Sequence, residues 1–229
     1  MGATSEAGRS DIDPVTTDAR NRFVIEAIDP ATGCIVYDAE VHDLLKLCKV
    51  LDLDPAEMEP GADYEFDAAQ MALIIGALGL EHAALGITGV LRPWGRLDQL
   101  PYKVHTNREL LMMLAGTKPL AVFHDCHPSR RPPFEVIPEN FYAPYVESGR
   151  FIMREVIAPS TDPRTTLGVR TVLYALPTEQ WRIDAYLLLR QTGFKYGWSE
   201  TCERMEGSLL GYTDEQNDIF IERIYRTKV

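Results

Sequence analysis

The sequence predicts an α+β protein, with a small acidic ββαβα module followed by a larger mixed α/β domain that ends in a helical segment. Three observations carry this expectation. Residues 1–90 hold 17 Asp/Glu against 5 Lys/Arg, a net of −12, whereas residues 91–229 hold 17 against 18, a net of +1. Two alternating segments flank a turn containing Pro30 and Gly33, which is a hairpin pattern. Three helical periodicities follow one another at the C-terminal end. A charge step this abrupt marks two physically different units, because net charge governs solubility and association rather than fold.

At 229 residues, 45% hydrophobic and 25% charged, the chain has the composition of a folded protein with one or two cores. Its longest apolar run, Met71–Leu80, is far shorter than the roughly 20 residues a membrane span needs. The first residues lack a basic segment followed by an apolar one, and Glu6 stands where a myristoylation signal needs Ser or Thr. Cys34, Cys48, Cys126 and Cys202 have no paired spacing, so reduced thiols in a cytoplasmic setting are expected. A net charge of −11 argues against a nucleic-acid partner, which needs a basic face to neutralise phosphates.

Along the chain, residues 1–20 read as a loose polar tail, 21–90 as the acidic module and 91–229 as the mixed domain. Arg22–Ile28 and Cys34–Val41 alternate as strands. Leu44, Leu45, Leu47, Cys48 and Leu51 recur at helical spacing. Ala62–Phe66 reads as a brief strand, and Asp67 as the cap of a helix that Gly79 stops. The glycines and Pro93 of residues 81–99 suggest a linker, with the boundary near Leu91.

In the second part, Thr106 and Glu109 read as a capping box, and Pro119–Phe123 as a buried strand running into a polar loop. A short helix at Glu139–Glu147 precedes strands at Arg150–Ile157 and Val169–Leu176. Helices are expected over 178–191, with Trp181, Ala185, Leu188 and Leu189 inward, then over 199–210 and 213–225. Thr213 and Gln216 form a further capping box.

Candidate chemistry concentrates in the second part. His124, Cys126 and His127, with His105, are a set of nitrogen and sulfur donors suited to zinc, but one close pair lacks the second pair of a structural zinc site. Cys126 between two histidines is also a candidate thiolate nucleophile. His105 and Arg108 at a helix entry suit an anion. Glu203 and Glu206 share a helix face, to bind a metal, to act as an acid–base pair, or as a solvated stripe neutralised by Arg204 or Arg223. Tyr196 and Trp198 in a loop, with Arg204, are the candidates for a binding surface, and Arg130-Arg131 suits an acidic contact. Phosphate-loop, dinucleotide, serine-hydrolase and zinc-protease strings are absent.

These observations favour a non-enzymatic interaction protein, of adaptor or immunity type, whose acidic module engages a basic protein partner. The alternative is a small hydrolase or group transferase with a cleft in residues 101–229. His105, Arg108, Asp125, Cys126, Glu203 and Glu206 would line that cleft, with His105 and His124 converging on Arg108 or Glu206. A third reading is metal binding through His105, His124, Cys126 and His127, with zinc the only cofactor in view.

Overall fold

The computed structural model describes residues 22–54, 62–79, 86–128, 137–160 and 167–228, an α+β fold with two antiparallel sheets. The expected tail, most of the acidic stretch at 55–61, and Arg130-Arg131 lie outside the described residues. The chain divides into two compact units. One comprises the described residues up to Ile28 together with Tyr37–Gly95. The other comprises Asp29–Val36 and Arg96 onward.

In the first unit, strand β1 (Phe23–Asp29) turns through residues 30–33 into β2 (Cys34–Val41), whose first three residues belong to the second unit. Asp29 holds the turn by accepting hydrogen bonds from the Ala31 N–H at 3.0 Å and the Thr32 hydroxyl at 2.8 Å, while Gly33 supplies the positive φ of 65°. Helix α1 (Leu44–Leu51) is capped by Asp43, and β3 (Tyr64–Phe66) leads into α2 (Ala68–Leu78). Asp67 and Gln70 form a reciprocal capping box on α2, and Gly79 closes it in the left-handed conformation.

The segment expected to be a linker is instead strand β4 (Thr88–Pro93), which sits inside the sheet in the order β2-β1-β4-β3. The unit is therefore ββαβαβ. Phe23, Ile25 and Ala27 of β1, Leu91 of β4 and Phe66 of β3 face one way and pack with Leu47, Met71 and Ile74 of the two helices. Gly89 is required there, since a β-carbon would lie 2.1 Å from the Met71 sulfur and 3.0 Å from the Glu26 carbonyl oxygen.

The second unit is built on three antiparallel strands, β5 (Leu120–His127), β6 (Ile152–Ala158) and β7 (Gly168–Ala175), with β7 in the middle. Alternation along β7 sends Val172 and Tyr174 to one face and Leu173 and Ala175 to the other, and all four are buried. A strand covered on both sides reads as a near-continuous apolar run. On one face Tyr174 stacks on Tyr142 at 4.2 Å, among residues of helices α3 (Glu109–Leu114) and α4 (Glu139–Glu147). The other face is covered by α5 (Trp181–Tyr196) and α6 (Glu200–Leu209). Helix α7 (Asp214–Phe220) follows and runs into a π-helical turn, Ile221–Tyr225.

Three expectations need correction here. Thr106 does not cap α3: residues 106–108 form a turn with Asn107 at φ 60°, and the helix starts at Glu109 without a side-chain cap. Strand β5 runs on through His124–His127 because all eight of its residues register against β7. Helix α5 buries Ile183, Tyr186, Leu189 and Gly193, and leaves Trp181 and Leu188 exposed.

The capping box of α7 is present as expected, with the Thr213 Oγ1 accepting from the Gln216 N–H at 3.2 Å and Gln216 Oε1 accepting from the Thr213 N–H at 2.9 Å. Thr213→Ala should lower stability by about 1 kcal/mol, read as a fall of about 2–4 °C in Tm, while Thr213→Ser should keep most of it. Equal melts for Ala and wild type would show that the cap carries no weight.

Candidate functional sites

Two features of the molecule are chemically distinctive, one in each unit. In the first unit, Tyr64 and Phe66 of β3 point into the core, so the alternate residues Asp63, Glu65 and Asp67 lie on the opposite side and are exposed. Because β3 is an edge strand, these carboxylates also discourage pairing with another chain. Asp43, Asp52 and Asp54 are exposed as well, against Lys46 and Lys49 as the exposed Lys/Arg side chains described in this unit. Arg22 binds Glu40 at 2.6 Å, and Arg92 binds the buried Glu26 at 2.7 Å.

The second unit neutralises itself. Arg170 grips Glu139 and Glu155, Arg182 holds Glu179, and Arg204 bridges Glu200 and Asp218. Arg154 pairs with Asp184, and Arg226 with Glu200. The charge step in the sequence is thus a difference in exposed charge.

The second unit also contains a cleft of about 200 Å³ among residues 97–106, α6 and α7. Glu203 and Glu206 both line it, as their spacing of three on one helix predicts. Glu203 accepts a hydrogen bond from the Trp198 indole N–H at 2.6 Å. Glu206 lies 3.5 Å from Arg190 and is hydrogen-bonded to Tyr186; burial pushes its carboxyl above the ordinary range.

His105 is 6% exposed and lies between Val104 and Thr106, both of which line the cleft. Its ring stacks on Tyr212 at 3.8 Å, and its backbone N–H donates to the Tyr212 hydroxyl at 2.9 Å. The Lys118 ammonium, 3% exposed, lies 3.1 Å from His105 Nδ1 and donates to the Leu210 carbonyl at 3.2 Å. Burial, reinforced by the Lys118 charge, holds the imidazole down at about 4. Burial likewise lowers Lys118 to about 8, while Glu109 opposes that shift. Burial raises Glu109 itself. Nothing in the sequence marked Lys118 beyond its position flush against an apolar strand. Tyr186 and Tyr212 read simply as core aromatics.

His124 faces α5: Nδ1 lies 2.9 Å from the Thr171 hydroxyl, its register partner on β7, and Nε2 lies 3.3 Å from the Tyr186 hydroxyl. Partial burial, with the Arg190 charge, lowers its pKa. Through Tyr186, His124 reaches Glu206. His105 is engaged by Lys118 and Tyr212 instead, and the Arg108 guanidinium turns back 3.4 Å from the Thr106 carbonyl. Of the expected convergence on Arg108 or Glu206, the structure shows a link from His124 to Glu206 through Tyr186 and holds His105 against Lys118 and Tyr212.

Asp125 accepts from the Cys126 N–H at 2.7 Å and the Cys126 thiol at 3.4 Å. Strand alternation puts His124 and Cys126 on one face and Asp125 and His127 on the other. Among the described residues no three His, Cys, Asp or Glu side chains are placed to hold a metal ion. Tyr196 is 74% exposed at the end of α5, whereas Trp198 packs over Gly193, where a β-carbon would meet its ring at 2.4 Å. Arg204 is held by Glu200 and Asp218.

No family model, curated protein or solved structure matches this chain. Among the described residues no helix is long and apolar enough to cross a membrane.

Proposed function

We propose that the chain is a non-enzymatic interaction protein, of adaptor or immunity type, whose acidic first unit engages a protein partner with a basic surface. The observation that carries this reading is the contrast in exposed charge. Among the described residues the first unit presents six exposed carboxylates with Lys46 and Lys49, and of these Glu65 lies on the edge strand β3 with Asp63 and Asp67 flanking it. In the second unit most of the described arginines are tied to carboxylates. Like charges held on one surface create a field that raises the encounter rate with an oppositely charged partner, within a Debye length of about 8 Å at physiological salt.

The test is kinetic. Partners trapped by crosslinking in cells are identified and purified, and their association with the full chain is followed as ionic strength rises. A variant combining Asp52→Asn, Asp54→Asn, Asp63→Asn and Glu65→Gln is measured alongside. Association with a cognate partner should slow on the order of 10-fold between about 50 and 500 mM salt, and the variant should be slow at every salt. Rates that ignore both salt and the substitutions would overturn the proposal. Were the β3 carboxylates only guarding an exposed edge, the variant would self-associate while its partner kinetics stayed as they were.

A further inference from the structure

We infer that the cleft beside α6 and α7 is a binding site for a small organic cation, a primary ammonium group carried on a short apolar stem. The walls supply the two halves of such a ligand. Tyr102, Tyr212 and Phe220 offer aromatic and apolar surface, while Glu203 and Glu206 offer carboxylates from one helix face. Among the described residues no lysine, arginine or histidine lines the cleft. Glu206 is already approached by Arg190 at 3.5 Å, but no described cation pairs with Glu203, whose hydrogen-bond partner is the neutral Trp198 indole. Glu203 is therefore the carboxyl of the cleft wall that has no cation beside it among the described residues.

Asn217 adds a further acceptor to the wall that carries the carboxylates. It is 7% exposed, and its Nδ2 donates to the Ser208 hydroxyl at 3.2 Å. Its Oδ1 has no hydrogen-bond partner among the described residues. That oxygen lies over Gly207, where a β-carbon would come within 1.9 Å of it, and both residues line the cleft. An N–H group entering the cleft would give that oxygen a donor. An ammonium group brings three donors and a positive charge to a wall of acceptors. At about 200 Å³ the space is smaller than the roughly 300–1,000 Å³ of sites for drug-sized ligands, so the stem is short. Aromatic faces beside the charged group add cation–π attraction.

The test uses the full chain at about 150 mM salt with four probes of similar length: n-butylamine, 1,4-diaminobutane, 1-butanol and butyrate. Calorimetric titration and thermal melts should show saturable binding of the two amines and none of the alcohol or the carboxylate. Glu203→Gln keeps an acceptor for the Trp198 indole and should weaken amine binding at least about 10-fold. Gly207→Ala should do likewise by displacing the Asn217 carboxamide. The variant neutralised at Asp52, Asp54, Asp63 and Glu65 should bind amines as the wild type does, which separates this site from the acidic surface of the first unit. No saturable binding of either amine, equal binding of 1-butanol, or amine binding lost with the first-unit carboxylates would each overturn the inference.

Discussion

Leu173→Ala should cost about 3–5 kcal/mol, toward the upper end of the range for buried leucines. Leu173 is fully buried on the middle strand of its sheet, registered against Val122 on β5 and Arg154 on β6. Its side chain belongs to the cluster formed with Ile183, Tyr186 and Leu189 of α5 and Leu209 of α6. A strand paired on both edges and a helix anchored by three buried residues leave little freedom to collapse into the vacated space, so the cavity term survives almost whole. Against a typical total of 5–15 kcal/mol, that loss brings the second unit close to its unfolding threshold. Val169, on the same strand but 48% exposed, is the control: Val169→Ala should change stability by no more than about 0.5 kcal/mol. Denaturant unfolding of both variants distinguishes a tightly interlocked layer from a loose one. A loss below about 1 kcal/mol at Leu173 would sink the packing argument.

Acidification should destabilise the fold through His105, with a window set by its environment. In the folded chain the imidazole stays neutral down to about 4, because burial and Lys118 penalise the charged form. In the unfolded chain it takes up its proton near 6.5. Between those values the unfolded state binds more protons, so stability falls as pH drops from about 6.5 to about 4 and is intact above 6.5. The loss is on the order of 3 kcal/mol by the conversion of pKa into free energy. Carboxylates titrate in the lower part of the same window, so the quantity to read is the difference from His105→Gln. That variant should start less stable at neutral pH and then lose less on the way down. Parallel curves would show that some other group carries the acid sensitivity. Lys118 has the same sign at the other end. Its folded value of about 8 lies below the ordinary 10.5, so stability should rise as pH climbs from about 8 to about 10.5, and Lys118→Met should flatten that rise.

Local signals in the sequence located most elements and missed those decided by partners far along the chain. The hairpin, α1, α2 and the capping boxes at Asp67 and Thr213 rest on residues within one turn of each other. Strand β4 was hidden because Gly89 and Pro93 are poor strand formers. They are tolerated because Gly89 makes room for Met71 and Pro93 ends the strand. The polar run His124–His127 extends β5 only because β7 supplies a partner for each residue. At Thr106 a plausible capping box gave way to a left-handed Asn107, whose carbonyl accepts the Ile35 N–H at 2.7 Å. Among the site residues, the shared face of Glu203 and Glu206 was legible from their spacing. The opposing cleft walls were not, since Tyr102 and Phe220 come from segments more than a hundred residues apart. Lys118 and its contact with His105 depend on burial, which spacing does not report.

The central position of β4 bears on how the chain must be made. Its partners on β1 lie 60 to 70 positions earlier, from Ile28 with Thr88 to Phe23 with Pro93, and among the described strands β3 pairs with β4 alone. During synthesis the N-terminal sheet therefore has a missing middle until residue 93 has left the ribosome. Until then the apolar flank of β1 and the whole of β3 stay open to wrong pairings. Nascent chains halted before Thr88 should be protease-sensitive and prone to aggregate, while those released past Pro93 should acquire protection in one step.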